Sequence, residues 1–292
     1  MAASTSSSSP RNVWLITGCS SGLGKEIARA ALKHGDHVVA TARNPVRLDD
    51  LKALGCATMA LDVTWDDATM KEAIDKAHGI YGRIDILVNN AGYALYGGVE
   101  ESSAKEVLSL FQTNVFGVLT ITRAVLPYMR ARRTGTIINI GSASSFLIFP
   151  TSGVYSATKA AVSALTRTLR QEVAPLGIKV TVVDLGSLRT NVVNSRVKVE
   201  HKIDDFQPTL GPVSAMLDKL VAESKGDPAK AAQLLVEAAT QTGRCLGREL
   251  PTCLPLGDFE AYRQAHLEAD AKELDAWKDF TRSEQVNFDE AE

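Results

Sequence analysis

The stretch T-G-C-S-S-G-L-G at residues 17–24 constrains the fold more than any other part of the chain. It follows a short apolar run, residues 12–17, that reads as a buried strand. It precedes an alanine-rich segment, residues 26–34, that reads as a helix stopped by Gly35. Strand, glycine loop and helix make the first βα unit of a dinucleotide-binding fold. Glycines let the backbone approach a pyrophosphate, and the N–H groups and positive dipole of a helix start favour an anion. The glycine spacing alone is a weak signal; its place between strand and helix gives it weight.

The alternation continues. Residues 37–42 (H-V-V-A-T-A), 58–61, 84–88 (I-D-I-L-V), 136–140 (T-I-I-N-I) and 178–183 read as further strands. The run at 136–140 is β-branched on both faces, as parallel strands are. Residues 249–254 read as a seventh, edge strand interrupted by Pro251. Residues 103–132 read as a long helix interrupted near Asn114, and 153–174, 227–240 and 259–279 as further helices; another is expected to begin near Trp65. Residues 187–225 are irregular, and a long irregular insertion reads as a lid or binding loop. No repeat and no linker interrupts this pattern. The expected organisation is a single α/β domain at 11–257, including the loop 187–225. A Ser- and Ala-rich disordered tail (1–10) precedes it, and a C-terminal helix with an acidic tail (258–292) follows.

Charges of both signs are interspersed and the net charge is −2, so neither nucleic acid nor an anionic membrane is expected as a partner. No apolar run approaches the ~18 residues of a membrane span. Residues 1–10 lack the basic and apolar regions of a secretory signal. Cys19, Cys56, Cys245 and Cys253 are scattered and the histidines form no cluster. Reduced thiols, a cytoplasmic location and no metal site are therefore expected.

Several residues carry chemistry. The second strand ends in Ala42-Arg43, where an NAD site would place an acid for the ribose 2′-hydroxyl. A guanidinium grips a phosphate with a bidentate fork, so this end favours NADP(H); the competing reading is a solvated loop arginine. Asp62 closes the third strand, placed either to accept from an adenine amino group or to cap the next helix. Asn89-Asn90-Ala91-Gly92 follows the fourth strand and suits strand bridging and close backbone approach. Asn114, between Phe111 and Phe116, is either a satisfied core amide or part of a proton path. Ser142 stands at the carboxyl end of the fifth strand, where ligands bind in open α/β sheets. Tyr155 and Lys159 are i and i+4 on one helix face. A neighbouring ammonium favours a phenolate, which makes the couple a sensible proton donor or acceptor for a carbonyl/alcohol pair; it is also a common surface pair.

Together these residues resemble the short-chain dehydrogenase/reductase family over 13–257. The matching motifs are T-G-x-x-x-G-x-G at 17–24, Asp62, N-N-A-G at 89–92, Asn114, Ser142 and Y-x-x-x-K at 155–159. The resemblance implies a doubly wound Rossmann sheet of about seven parallel strands. It implies Tyr155 as general acid or base, Lys159 as its electrostatic partner and ribose ligand, and Ser142 as donor to the carbonyl oxygen. Asn114 would hold a water linking Lys159 to solvent. NADP(H) contacts are implied at Gly18, Ser20, Ser21, Gly22, Leu23, Gly24, Arg43, Asp62, Val63, Asn89, Ala91, Gly92, Tyr155, Lys159, Gly186, Leu188 and Thr190. The expected partner is a small apolar carbonyl or alcohol, and the expected assembly a homodimer or homotetramer. Leu185 stands where the family usually has proline, so a looser loop is expected there. A scaffold that kept the fold and lost the chemistry is the alternative. A sugar-nucleotide epimerase is disfavoured by the glycine spacing and by the lack of a larger C-terminal domain.

Overall fold

The computed structural model describes residues 11–189, 197–257 and 259–281. Along the chain run β1 (Val13–Ile16), α1 (Gly22–His34), β2 (His37–Ala42), α2 (Asp49–Ala53), β3 (Ala57–Ala60) and α3 (Asp67–Tyr81). Then come β4 (Ile86–Asn89), β5 (Leu95–Tyr96), α4 (Ala104–Phe111), a π-helical turn (Gln112–Phe116), α5 (Gly117–Arg132) and β6 (Gly135–Ile140). The remainder is α6 (Gly153–Val173), β7 (Ile178–Leu185), β8 (Val197–Lys198), α7 (Gln207–Ala222), α8 (Pro228–Thr240), β9 (Cys253–Leu256) and α9 (Glu260–Trp277).

Among the described residues, seven strands form one parallel sheet in the order β3-β2-β1-β4-β6-β7-β9. The chain winds outward from β1 to β3, returns across β1 to β4, and winds the other way. The expected doubly wound Rossmann sheet is therefore present, with its switch point between β1 and β4. Successive strand residues face opposite sides, and both sides are buried. Trp14, Ile16, Val38, Ala40, Val88 and Ile138 pack on one face with Ile27, Ala28 and Ala31 of α1 and Leu235 and Val236 of α8. Leu15, Val39, Leu87, Ile137 and Val180 pack on the other with Met70 and Ile74 of α3 and Ile121, Val125 and Met129 of α5.

The chain divides into two compact units, one up to Gly257 and one from Asp258 onward. The second carries α9, which has no buried residue. Among the described residues no helix is long and apolar enough to cross a membrane.

Some boundaries differ from the sequence reading. α1 starts at Gly22, not residue 26; Gly22 stands at φ 59°, a conformation glycine adopts readily, and the low helix propensity of Gly22 and Gly24 hides this first turn from the sequence pattern. The helix expected near Trp65 starts at Asp67 and is capped by Asp66, whose carboxylate accepts from Thr69 N–H at 2.8 Å. Asp62 therefore caps no helix; it closes a turn by accepting from the Thr64 N–H (2.9 Å) and hydroxyl (2.8 Å). The edge strand lies after Pro251, at Cys253–Leu256, and tolerates Pro255 because it pairs on one side only, with β7. The stretch read as irregular contains α7, hidden from periodicity because Leu217 is its one buried residue and Pro212 lies inside it.

Candidate active site

The carboxyl ends of β1, β4, β6 and β7 form the crevice in which the sequence-derived residues meet. Gly18 has φ 71°, and a Cβ there would stand 2.9 Å from Ala91 Cα. A Cβ on Gly24 would collide with the Asn90 amide. The glycine loop is thus closed down onto the segment after β4. Thr17 is the clasp: its Oγ1 accepts from the N–H groups of Asn90 and Ala91, both at 3.0 Å, and Asn90 Nδ2 donates to the Thr17 carbonyl at 2.9 Å. Ser21 precedes α1 with no side-chain hydrogen bond across the helix start, so Gly22, Leu23 and Gly24 open the helix with uncapped N–H groups. Ser20 lies beside them, partly exposed.

Arg43 is exposed at the end of β2 and makes no hydrogen bond or ion pair among the described residues. Val63 is buried against the start of α5, where a Cβ on Gly117 would meet its carbonyl at 2.8 Å. Asn89 turns out to bridge strands: its Nδ2 donates to Asn139 Oδ1 (2.8 Å) and Thr122 Oγ1 (3.1 Å), and it is buried. Gly92 lies over Asn114 and Lys159, since a Cβ there would sit 3.0 Å from Asn114 Oδ1 and 3.9 Å from Lys159 Nζ.

Beyond β7, Gly186 N–H donates to the Leu256 carbonyl at 2.8 Å. Leu188 bridges to Gly226, and Arg189 N–H donates to the Gly226 carbonyl at 2.7 Å. The Ser224 hydroxyl donates to the Ser187 carbonyl at 2.7 Å. The loosening expected from Leu185 is countered in residues 185–189 by these bonds and by Leu185 pairing with Leu256. Thr190 lies outside the described residues.

Asn114 sits in the π turn and is 1% exposed. Its Oδ1 accepts from Tyr93 N–H at 3.1 Å, and its Nδ2 donates to the Tyr93 carbonyl (2.9 Å) and to Thr158 Oγ1 (3.2 Å). The side chain is thus occupied in joining the segment after β4 to α6. A π turn shifts main-chain carbonyls out of the regular ladder, and such turns recur at functional sites.

Ser142 follows β6, and its Oγ accepts from Ser144 N–H at 3.1 Å. Tyr155 and Lys159 lie on α6, with Lys159 Nζ 5.9 Å from the Tyr155 ring centroid. Burial pushes the Tyr155 phenol up to about 12; hydrogen bonding with Ser142 pulls it down and nearby Tyr96 pushes it up. Burial lowers Lys159 to about 8, against the opposing charge of Asp184. The sequence reading had the ammonium depress the phenol; here burial is the largest influence and leaves the phenol raised. Lys159 points its Nζ at the Ile140 carbonyl, 2.8 Å away. At neutral pH the phenol holds its proton and the lysine is mostly charged, which suits a proton donor rather than a base. Thr17, Asn90, Tyr93 and Thr158 complete the site. The first two are fixed letters of the quoted motifs, whereas Thr158 falls on an unspecified position of Y-x-x-x-K and Tyr93 lies outside the motifs.

A family model described as short chain dehydrogenase matches residues 12–201. Oxidoreductase BOA17 of Botryotinia fuckeliana (strain B05.10) is 36% identical over 229 residues, covering 77% of this chain and 83% of that protein. The crystal structure of a short-chain dehydrogenase from Streptomyces avermitilis matches with TM-score 0.85 and 38% identity, covering 96% of this chain and 100% of its own. A serine dehydrogenase complexed with NADP+ matches with TM-score 0.71 and 29% identity, covering 84% and 94%. The chain belongs to the short-chain dehydrogenase family, oxidoreductases that use a nicotinamide cofactor.

Proposed function

We infer that this chain is an NADPH-dependent reductase of apolar ketones or aldehydes. The observation that carries the reading is a phenol, Tyr155, held protonated by burial beside Ser142 and Lys159, in the crevice that the glycine loop opens. The residues fit a nicotinamide dinucleotide. Glycines stand where a Cβ would fill the cradle, the start of α1 is uncapped, and Arg43 is exposed with no acid beside it.

When bound, the reduced nicotinamide supplies a hydride to the carbonyl carbon. Ser142 and Tyr155 then aim donors at the oxygen on which negative charge grows. Tyr155 gives its proton to that oxygen, and the charge of Lys159 steadies the phenolate left behind. The π-turn main chain at Asn114 offers a place for a water leading from Lys159 to solvent. Arg43 would hold the 2′-phosphate, and Asp62 would accept from the adenine.

Two measurements test this reading. The parent is expected to prefer NADPH over NADH by roughly ten- to a hundredfold in kcat/KM. Arg43→Ala should erase most of that preference by weakening NADPH alone; a parent that prefers NADH sinks the assignment. Reduction rates should also fall as pH rises through about 8, where Lys159 loses its charge. Lys159→Arg, which keeps its charge, should move that fall to higher pH. An unchanged profile would remove Lys159 from proton delivery.

A further inference from the structure

Asp184 lies near the carboxyl end of β7 and is 1% exposed, yet it belongs to none of the motifs that marked the site. Ile140 pairs with Val183 across β6 and β7, so the next residues along, Gly141 and Asp184, come together where β6 ends. The approach is close. A Cβ on Gly141 would stand 2.8 Å from Asp184 Oδ1, and Gly141 N–H donates to the Val183 carbonyl at 2.8 Å. The other carboxylate oxygen is held from the edge strand, where Cys253 Sγ donates to Asp184 Oδ2 at 3.0 Å.

The same corner receives Lys159. Its Nζ reaches from α6 to the Ile140 carbonyl, 2.8 Å away and one residue before Gly141. Lys159 is 8% exposed, so an ammonium and a carboxylate are buried together at the end of β6. Buried charges persist where they are paired. Burial lowers Lys159 to about 8, and the Asp184 charge opposes that fall. Among the described residues, the other titratable groups at this corner are Tyr155 on the same helix, Tyr96, which acts on Tyr155, and Cys253 against Asp184. Gly92 and Asn114, which adjoin Lys159 Nζ, carry no charge.

We propose that Asp184 is a positioning residue for the proton-donating couple: its carboxylate keeps Lys159 charged and aimed at the end of β6, where that charge steadies the Tyr155 phenolate. Its effect on turnover rests on the reductase reading; its effect on Lys159 does not. Buried as it is, Asp184 meets no reacting atom and acts through Lys159. Removing a negative charge from beside a buried ammonium disfavours the charged form, so the lysine would release its proton at lower pH.

The test uses the full chain with isotope-labelled lysine, followed by NMR across pH. The Lys159 signal is identified by its loss in Lys159→Arg. In Asp184→Asn, which keeps the shape and loses the charge, Lys159 is expected to titrate about one pH unit below the parent, the lower end of what a neighbouring opposite charge supplies. Asp184→Glu keeps the charge and should titrate near the parent. Asp184→Ser is also neutral and serves if Asp184→Asn does not fold. With acetophenone and NADPH, the fall in kcat with rising pH should move down by the same amount, roughly a threefold loss relative to the parent at about pH 7.5. A structural role alone would lower kcat by one factor at every pH. Lys159 titrating alike in the parent and the neutral variants would overturn the proposal, whatever happens to turnover. A Lys159 titration that moves while the kcat profile stays put upholds the role of Asp184 and defeats the use of Lys159 in the reductase reading.

Discussion

Replacing Tyr155 by phenylalanine is expected to lower kcat for carbonyl reduction roughly 10²–10⁴-fold while leaving NADPH affinity nearly unchanged. The ring packs with Leu95, Leu110 and Val199, and phenylalanine keeps that packing. The variant loses only the hydroxyl. That hydroxyl is the group whose proton burial retains to about 12, and with it goes the hydrogen-bonding partner of Ser142. The remaining Ser142 donor can still face the developing charge, so residual turnover above background is part of the expectation. Single-turnover kinetics with NADPH, alongside a binding titration, separate proton delivery from cofactor binding. Turnover within about tenfold of the parent would take Tyr155 out of the mechanism.

The residues of this site were legible because each belongs to a short motif attached to an element that periodicity identifies. Thr17 to Gly24 sits between an apolar strand and a helix, and Tyr155 and Lys159 share a helix whose limits the sequence reading missed by one residue. The interruption near Asn114 was legible as a polar residue on an apolar helix, and it is a π turn. What escaped were interactions made by backbone groups far apart in sequence. Nothing about Glu101 foretells that it will accept from Ile203, and nothing in Asn89 distinguishes a strand bridge from a cofactor ligand. The electrostatic balance escaped for the same reason. Spacing says that Lys159 neighbours Tyr155, but only the packing around them shows that burial leaves the phenol raised. α7 was missed because amphipathic periodicity reports burial, and an almost wholly exposed helix with an internal proline has little to report.

The largest effect on stability is expected at the opposite end of the sheet, at Asp85. This residue is 8% exposed, and its carboxylate ties β1 and the end of α5 to the start of β4. It accepts from Val13 N–H of β1 at 2.9 Å, from Arg83 Nε and Nη2 at 2.7 and 2.8 Å, and from Arg132 at the end of α5 at 2.8 Å. The Asp85 main chain donates to the Val13 carbonyl and accepts from Thr136 N–H of β6. Burial alone would raise its pKa; the bonds from Arg83, Val13 and Arg132 together outweigh burial and leave it lowered. Removing one partner of a buried ion pair costs about 3–5 kcal/mol. Both arginines are about a third exposed, which places Asp85→Ala near the lower end, about 3 kcal/mol. In a domain of this size that is a fall in Tm of about 6–12 °C. Asp85→Asn keeps an acceptor for Val13 and should lose less. Because the folded pKa lies below the unfolded one, the ionic contribution is fully present above the unfolded value near ~3.9 and disappears as pH falls through the folded value. The gap between parent and Asp85→Asn should therefore be constant from neutral pH down to about 5 and narrow below about 4. Thermal melts across that range check both statements. A gap that persists at low pH would assign the effect to packing, and an Asp85→Ala protein as stable as the parent would show that the Arg83–Asp85–Arg132 cluster contributes nothing to tying β1 and α5 to the start of β4.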